Sequence, residues 1–509
     1  MPTIRDLLVA QAASSRPALR WRDAGGEVRQ LTWAEYVGAS ADRAAVVAAS
    51  LDPDRPPHLG VLLGNGPEMA LQLAAAALGG HVLVGLNTTR RGPALAADVR
   101  KADCQLVLTD AEHAPLLSEA AVPVVTSLVA SGMKASSREP GEDDLFMLVF
   151  TSGTSGDPKA VRVTHRKVTA PAAYLTERLG LTAEDVHYVS MPLFHSNGVL
   201  AGWAPAVHNG ACIAVAPFSA SAFLDDVRAF GATYANYVGK PLSYVLATPC
   251  RPDDADTPLR LVFGNEAGDR ETAAFAERFG CRVVDGFGST ENAVVISRVE
   301  GTPPGSLGQP GPGVAVFSPE TGVECPPARF GPDGSVLNLE ECVGELVNTS
   351  GMGQFAGYYN DDAATAERMR GGMYWSGDLA YRDSDGWVYY AGRTADWLRV
   401  DGENLAAAPI ERILLRHPAV SEAAVYAVPD PSAGDQLVAA LVLVAPLSAE
   451  AFGSFLAEQP DLSPKAWPRF VRVVASLPRT ATNKVLKREL QAEPLDATWT
   501  RDERGTAYR

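Results

Sequence analysis

Short apolar runs alternate along the chain with longer segments in which alanine and leucine recur at helical spacing. An apolar run at 60–63 precedes a helical pattern over 67–78, and a run at 105–108 precedes another over 111–120. Strands that alternate with helices in this way are typical of parallel sheets covered by helices. The pattern therefore predicts an α/β fold of layered, largely parallel sheets.

The pattern changes near residue 392. Residues 409–416 have the spacing of a short helix, which is followed by apolar runs and a second helix. These later segments lie at 422–428, 437–444, 449–458 and 470–475. We therefore predict a large N-terminal domain over 1–394 and a small, mobile α+β domain over 395–509, with a loose polar tail after Leu490.

The length and charge of the chain narrow the classes of function. With 509 residues the chain is long enough for more than one core. Its 60 acidic and 44 basic residues give a formal net charge of −16, which argues against a nucleic-acid partner, because such proteins carry clustered Lys and Arg. Six scattered cysteines without a CxxC pair favour reduced thiols in a cytoplasmic compartment.

The most membrane-like stretch of the sequence runs over residues 70–86. It is short for a membrane span and is interrupted by two glycines and a histidine. We expect a buried helix that leads into a strand at this place, and we expect no transmembrane segment.

A loop rich in glycine and hydroxyl residues follows a predicted buried strand at 145–150. Its sequence over 151–159 is TSGTSGDPK. Glycines and small hydroxyl residues allow successive backbone N–H groups to face one anion, and Lys159 adds a compact positive charge that suits a polyphosphate. The spacing differs from that of the Walker motif. A Gly/Ser-rich surface turn fits the same sequence, so the loop alone does not assign a function.

Five further motifs carry polar, charged or aromatic residues that could contribute to a binding site. They are PLFHSNG at 192–198, DGFGSTE at 285–291, YWSGD at 374–378, GRTADWLRVDGEN at 392–404 and LPRTATNK at 477–484. Each one also has an ordinary structural interpretation: a buried histidine, a strand-end turn with an exposed glutamate, a salt-bridged corner or a solvated lysine. Their combination is more informative than any single motif.

Together, and in this order, the motifs resemble the signatures of the adenylate-forming superfamily, which comprises acyl-CoA synthetases, adenylation domains and luciferases. The resemblance covers residues 145–490. It implies ATP, Mg²⁺ and coenzyme A as cofactors. It also implies that a carboxylate first displaces pyrophosphate from ATP, and that the thiol of coenzyme A then takes the acyl group from the acyl-adenylate.

The resemblance implies a role for each matched residue. Lys484 would bridge the carboxylate and the α-phosphate, Glu291 would hold Mg²⁺, and Thr290 would contact phosphate, while His195 would line the acyl side of the site. It also implies that the nucleotide is bound by Thr151, Ser152, Gly153, Thr154, Ser155, Lys159, Gly264, Asn265, Glu266, Phe287, Gly288, Asp378 and Arg393. Gly402 and Glu403 would face the pantetheine tunnel.

The motif at 392–404 and the Gly264-Asn265 pair look nearest the very-long-chain fatty acid and bulky-acid branch of the superfamily. We therefore expect a large apolar acid as the small-molecule substrate. Two alternatives stay open: a ligase that loads a carrier protein, although no carrier domain follows residue 490, and a degenerate nucleotide-binding protein, although Glu291 and Lys484 are both present. The sequence does not fix the exact acid or the oligomeric state, for which a homodimer is one option.

Overall fold

The structure is a computed structural model that describes residues 1–128, 139–151, 158–332, 336–393, 397–400, 403–430, 434–459, 462, 464–479, 485–502 and 505–509. Contacts divide the chain into two compact units. The first comprises Met1–Asn292 and Gln354–Glu367, and the second comprises Ala293–Gly353 and Arg368–Arg509. This division does not coincide with the boundary that we predict near residue 394, which stays a prediction.

Two mostly parallel sheets form the framework of the first unit. Its described strands are β1 (Pro17–Arg22), β2 (Val28–Thr32), β3 (His58–Leu62), β4 (Val82–Gly85), β5 (Leu106–Thr109), β6 (Val124–Val125), β7 (Leu145–Thr151), β8 (Lys159–Thr164), β9 (Val186–Val189), β10 (Cys212–Val215), β11 (Tyr234–Val238), β12 (Leu261–Asn265) and β13 (Arg282–Gly286). One sheet has the order β13-β12-β11-β9-β10-β1-β2, and the other has the order β6-β5-β3-β4-β7-β8. The β1–β2 and β7–β8 pairs are antiparallel, and the other pairs are parallel.

The second unit is richer in antiparallel pairs. Its described strands are β14 (Ile296–Ser297), β15 (Gln309–Pro310), β16 (Val314–Phe317), β17 (Gly344–Asn348), β18 (Met369–Arg370), β19 (Met373–Arg382), β20 (Val388–Arg393), β21 (Trp397–Val400), β22 (Glu403–Ala406), β23 (Val420–Asp430), β24 (Gly434–Leu443), β25 (Phe470–Val473) and β26 (Trp499–Thr500). A small sheet has the order β16-β17-β19-β18, with β20 paired to β19. A six-stranded sheet near the C-terminus has the order β22-β21-β24-β25-β26, with β23 paired to β24.

Helices cover these sheets. In the described residues they are α1 (Ile4–Ala10), α2 (Trp33–Ser50), α3 (Pro67–Gly79), α4 (Gly92–Lys101), α5 (His165–Leu179), α6 (Ala204–Asn209), α7 (Phe223–Phe230), α8 (Pro241–Leu246), α9 (Asp269–Phe279), α10 (Leu339–Cys342), α11 (Asp362–Arg368), α12 (Ala407–Leu414), α13 (Ala449–Ala457) and α14 (Lys487–Ala492). Within the part of the chain that the structure describes, no helix is both long and apolar enough to cross a membrane.

The helix α3 shows how sequence determines an element of the core. Pro67 starts it after Gly66, and Gly80 ends it in the left-handed conformation with φ 67°, as expected for proline at the first turn and glycine past the end. Alanine and leucine make it apolar around most of its circumference, so it is almost wholly buried. The predicted buried helix that leads into a strand is therefore confirmed, since β4 follows directly.

The predicted fold class is confirmed, and two local predictions are wrong. The helix expected over 111–120 is reduced to a 3₁₀ turn at Ala114–Leu117, because Pro115 lacks the N–H that a helix interior requires. The tail after Leu490 is packed rather than loose. Its strand β26 pairs with β25, and both Trp499 and Tyr508 are buried in the core of the C-terminal sheet, where their large apolar area stabilises the packing.

Candidate active site

The matched residues of the first unit follow the carboxyl ends of its strands. Thr151 ends β7, the motif at 192–198 follows β9, Asn265 ends β12 and Phe287 follows β13. Because β9, β11, β12 and β13 belong to one parallel array, the segments that follow them emerge at one edge of the sheet. Ligands of open α/β sheets bind at this edge.

Side-chain hydrogen bonds join three of the predicted motifs. Asn197 donates from Nδ2 to the Tyr237 carbonyl oxygen at 3.0 Å and lies 3.4 Å from Asn265 Oδ1. Asn265 in turn donates to the Gly286 carbonyl at 2.8 Å. The histidine motif is thus tied to the ends of β11 and β12, and through Asn265 to the turn that carries Phe287.

A hydroxyl pair also connects the histidine motif to Thr290. Ser196 Oγ and Thr290 Oγ1 lie 2.8 Å apart. The neighbouring His195 is partly exposed, and its ring centroid lies 4.6 Å from that of Phe194. Gly198 permits a close approach of the backbone, since a Cβ atom there would lie 2.4 Å from the Pro192 carbonyl oxygen. The structure therefore brings the proposed acyl-side and phosphate-side residues together.

The loop at 264–267 is shaped by close packing and by a buried carboxylate. A Cβ on Gly264 would lie 2.3 Å from the Tyr237 carbonyl oxygen, so only glycine fits. Glu266 has a φ of 69°, in the region that side chains rarely adopt. The Asp285 carboxylate accepts hydrogen bonds from the Tyr237 hydroxyl at 2.6 Å and from the Ala267 N–H at 3.1 Å. Asp285 therefore stabilises the strained loop next to the predicted adenine pocket.

The predicted metal-binding residue Glu291 and the loop lysine Lys159 meet at one tyrosine. The hydroxyl of Tyr358 donates to Glu291 Oε1 at 2.8 Å. The Lys159 ammonium lies 5.3 Å from the centre of the Tyr358 ring and 3.6 Å from the carboxylate of the exposed Glu367. Sequence reasoning missed Tyr358, because a tyrosine in the segment 354–367 has no spacing that ties it to residue 291.

A second buried lysine lies close enough to Glu291 to interact with it electrostatically. Lys167 is 1% exposed, and its Nζ lies 3.5 Å from the Arg162 carbonyl oxygen and 6.0 Å from the centre of the Phe355 ring. Burial lowers the pKa of Lys167 to about 8, while the Glu291 carboxylate raises it. The sequence carries no signal for this residue, because a lysine in the first turn of a helix is usually a solvated surface charge.

The second unit contains the matched Asp378 and Arg393 on neighbouring strands. Asp378 of β19 is in register with Arg393 of β20, and Asp378 is buried, with its N–H donating to Ser376 Oγ at 3.0 Å. Gly377 has a φ of 77°, and its N–H donates to Glu345 Oε1 at 2.6 Å. The buried Glu345, which the sequence did not point to, therefore stabilises the turn of backbone that precedes Asp378.

Some residues of the predicted site are described only by the position of their backbone, and others lie outside the described residues. The strand β22 begins at Glu403. The following predicted residues lie outside the described residues: Ser152, Gly153, Thr154, Ser155, Gly402 and Lys484. Phe287 is partly buried and Gly288 is exposed at the end of β13.

The oxygen donors of the first unit fit a magnesium ion that is shared with phosphate. Glu291 offers a carboxylate, which is a hard ligand that Mg²⁺ prefers, and Mg²⁺ is commonly held by one or two carboxylates together with substrate phosphates. Among the described residues no group of three or more His, Cys, Asp and Glu side chains could hold a metal by itself.

The parallel sheets and the Thr-Glu pair at the sheet edge, together with the sequence of a hydroxyl-rich loop before a lysine, fit an enzyme that activates carboxylates with a nucleotide. The sequence profile of the AMP-binding enzyme family matches residues 8–359, and that of the AMP-binding enzyme C-terminal domain matches residues 409–484. The chain belongs to this family. The resemblance to AMP-forming acyl-CoA synthetases of the adenylate-forming superfamily is thereby confirmed, and the chain is an acid–thiol ligase.

Similar proteins cover nearly the whole chain. A medium/long-chain-fatty-acid–CoA ligase of Mycobacterium marinum is 52% identical over 97% of this chain and 97% of that one. A steroid-22-oyl-CoA synthetase of Rhodococcus jostii is 46% identical over 96% of this chain and 91% of that one. The solved structure of o-succinylbenzoate CoA synthetase from Bacillus subtilis, in complex with its acyl-adenylate intermediate, has a TM-score of 0.79 at 26% identity, covering 97% and 99% of the two chains.

Proposed function

We propose that the chain converts a large apolar carboxylic acid, either a medium- or long-chain fatty acid or the side-chain acid of a steroid, into its coenzyme A thioester. The observation that carries this proposal is the 52% identity, over 97% of both chains, to a medium/long-chain-fatty-acid–CoA ligase. The 46% identity to a steroid-22-oyl-CoA synthetase extends the proposed substrate class to bulky ring systems. A cytoplasmic location is part of the proposal, and a homodimer is an option that it leaves open.

The first step of the proposed reaction gives the acid a better leaving group. A carboxylate is a poor electrophile because its leaving group would be oxide, whereas the acyl-adenylate has AMP as its leaving group. The carboxylate oxygen bonds to the α-phosphorus of ATP and the bond to pyrophosphate breaks. The thiolate of coenzyme A then bonds to the acyl carbon and AMP departs. The first of these two steps, the transfer at the α-phosphorus, depends mainly on positioning and charge stabilisation.

In this proposal the first unit binds the phosphates. Lys159 and Thr290 would contact phosphate oxygens, together with residues 151–155 (Thr151, Ser152, Gly153, Thr154 and Ser155). Glu291 would hold Mg²⁺, and the ion would supply positive charge to neutralise the phosphates. The Ser196–Thr290 hydroxyl pair and the Tyr358–Glu291 hydrogen bond support these roles, because they fix both side chains before the nucleotide arrives. The adenine pocket is formed by Gly264, Asn265, Glu266, Phe287 and Gly288. His195 lines the acyl side of the site.

The remaining roles belong to residues of the second unit. Asp378 and Arg393, which are in register on adjacent strands, contact the ribose and phosphate of the nucleotide. Lys484 bridges the attacking carboxylate and the α-phosphate. The small domain over 395–509 then rotates relative to 1–394, so that Gly402 and Glu403 face the pantetheine of coenzyme A.

A panel of acids tests the proposal. The full chain is incubated with ATP, Mg²⁺ and coenzyme A and with fatty acids of increasing length, steroid side-chain acids and short polar acids, and thioesters are detected by mass spectrometry. We expect thioesters of the long or bulky acids, and none with Lys484→Ala. Activity confined to short polar acids would overturn the proposed substrate class. Transfer to a carrier-protein phosphopantetheine in preference to coenzyme A would overturn the proposed acceptor.

A further inference from the structure

The segment 354–367 belongs to the first unit although it follows sixty-one residues of the second, Ala293–Gly353. It runs antiparallel to β8, the strand that begins with Lys159. The Arg162 N–H donates to the Gly357 carbonyl at 3.1 Å, and the Tyr359 N–H donates to the Ala160 carbonyl at 2.8 Å. These backbone bonds anchor the segment beside the end of the phosphate loop, and they fix where Tyr358 lies.

The side chain of Tyr358 connects two groups of opposite charge. Its hydroxyl donates to Glu291 Oε1 at 2.8 Å, while the Lys159 ammonium lies 5.3 Å from its ring centre. Tyr358 is 1% exposed, and its ring packs edge-to-face on Phe355 with a centroid distance of 4.9 Å. A side chain packed in this way has few rotamers, so it holds the carboxylate and the ammonium at a defined separation.

We propose that Tyr358 is a positioning residue for the phosphate and metal site, because its hydroxyl orients the Glu291 carboxylate towards Mg²⁺ while its ring supports the Lys159 ammonium. This inference rests on the proposed roles of Glu291 and Lys159. Partners that orient a metal ligand strongly affect the affinity of metal sites. Here the partner that the inference concerns is a buried hydroxyl on a packed aromatic ring.

The adjacent tyrosine supplies a matched control. Tyr359 donates its hydroxyl to Asp103 Oδ2 at 2.9 Å, and its ring packs on His58 at a centroid distance of 5.0 Å. Its hydroxyl therefore bonds to a carboxylate that has no place in the proposed site. Replacing either tyrosine by phenylalanine removes one oxygen and one hydrogen bond to a carboxylate, so the two variants differ in which carboxylate loses its donor.

The experiment measures ATP binding to the full chain by titration calorimetry, without acid or coenzyme A, first in excess Mg²⁺ and then in excess EDTA. For Tyr358→Phe we expect the gain in ATP affinity that Mg²⁺ provides to fall about tenfold, the factor that corresponds to one lost hydrogen bond to a charged group. ATP affinity in EDTA should be unchanged. The Mg²⁺ concentration for half-maximal thioester formation should rise by a similar factor. Tyr359→Phe should bind as the wild type does in both conditions.

A Glu291→Gln variant separates this inference from the proposed function. If Glu291→Gln abolishes the Mg²⁺-dependent gain and Tyr358→Phe leaves it intact, the inference is wrong and the role of Glu291 stands. If Glu291→Gln retains the gain, the proposed role of Glu291 itself is wrong. Equal losses in Mg²⁺ and in EDTA would show that Tyr358 acts only through Lys159 or the fold, which also overturns the inference.

A double variant tests whether the hydroxyl of Tyr358 acts through Glu291. In the background of Glu291→Gln, the further change Tyr358→Phe should have no additional effect on the Mg²⁺-dependent gain, because the carboxylate that the hydroxyl orients is already absent. Independent, additive losses would contradict the inference. Circular dichroism melting of each variant checks that the fold is retained.

Discussion

Replacing the buried Lys167 by methionine should stabilise the first unit near neutral pH. Lys167 is 1% exposed, and burial lowers the pKa of its ammonium group from the ordinary 10.5 to about 8, although the Glu291 carboxylate raises it. A pKa lowered by that much means that the folded protein disfavours the charged form of the lysine by about 3 kcal/mol, since each pKa unit corresponds to about 1.4 kcal/mol. Methionine fills a similar volume without a charge to desolvate, so Lys167→Met avoids this cost.

The net gain is smaller than the full desolvation cost. Methionine loses the contact of Nζ with the Arg162 carbonyl oxygen at 3.5 Å, whereas the attraction of the lysine to Glu291 is already included in the pKa of about 8. Removing one charge from a pair with a carboxylate leaves that carboxylate less well compensated. We therefore expect Lys167→Met to raise the free energy of unfolding by about 1–3 kcal/mol at pH 7.

The pH dependence of this gain has a definite sign. Below a pH of about 8 the lysine is protonated in the folded and the unfolded state, so the cost of burying its charge is fully present. Between pH 8 and 10.5 the folded state releases the proton while the unfolded state keeps it, so the wild type gains stability as the pH rises. The advantage of Lys167→Met should therefore be largest below pH 8 and shrink towards pH 10.5.

Scanning calorimetry of the full chain at pH 7, 8.5 and 9.5 measures this difference. The control is Lys240→Met, because Lys240 is partly exposed and its Nζ lies 3.9 Å from Glu271 Oε1. An ion pair that is accessible to solvent contributes at most about 1 kcal/mol. Its effect should be small at each pH. A Lys167→Met variant that is no more stable than the wild type at pH 7, or whose advantage does not change with pH, would refute the reasoning.

Three further substitutions test the packing of the site and of the C-terminal sheet. Ser196→Ala removes the hydroxyl 2.8 Å from Thr290 Oγ1, so pyrophosphate release should slow by about fivefold to tenfold with an unchanged melting temperature; an unchanged rate would contradict the proposed role of the pair. Tyr237→Phe removes a donor from the buried Asp285, and urea unfolding should show a loss of about 1–3 kcal/mol. Trp499→Ala should cost about 3–5 kcal/mol in urea unfolding followed by circular dichroism, because Trp499 is buried; a loss below about 1 kcal/mol would contradict the packed tail.

Local patterns predicted the elements of the fold well, whereas contacts distant in sequence could not be predicted. The continuous apolar run at 145–150 becomes β7, and the pattern at 67–78 becomes α3, because burial of the whole segment is visible in its composition. Tyr358 meets Glu291 across sixty-seven positions of the sequence. Nothing in the local pattern encodes such a contact, because it depends on how the segment 354–367 pairs with β8.

The motifs fixed the identities of the candidate site residues and left their supports unassigned. The family resemblance implies roles for Thr290 and Glu291, but the side chains that contact them, Ser196 and Tyr358, lie in other segments. Lys167 was not predicted as a residue of the site. The residues around it in sequence are ordinary for a helix, and they do not show that its side chain is buried. Burial of a charged residue is set by the neighbouring elements, which single-sequence patterns do not describe.

Two lysines near Glu291 and Tyr358 are stabilised by aromatic rings. Lys159 lies over the ring of Tyr358 and Lys167 over that of Phe355, and the two rings pack edge-to-face. An aromatic face stabilises an ammonium group without being a counter-ion, and the Lys159 ammonium in addition lies 3.6 Å from the carboxylate of the exposed Glu367. The burial of the Lys167 ammonium therefore has a desolvation cost, which the attraction to the Glu291 carboxylate offsets only in part.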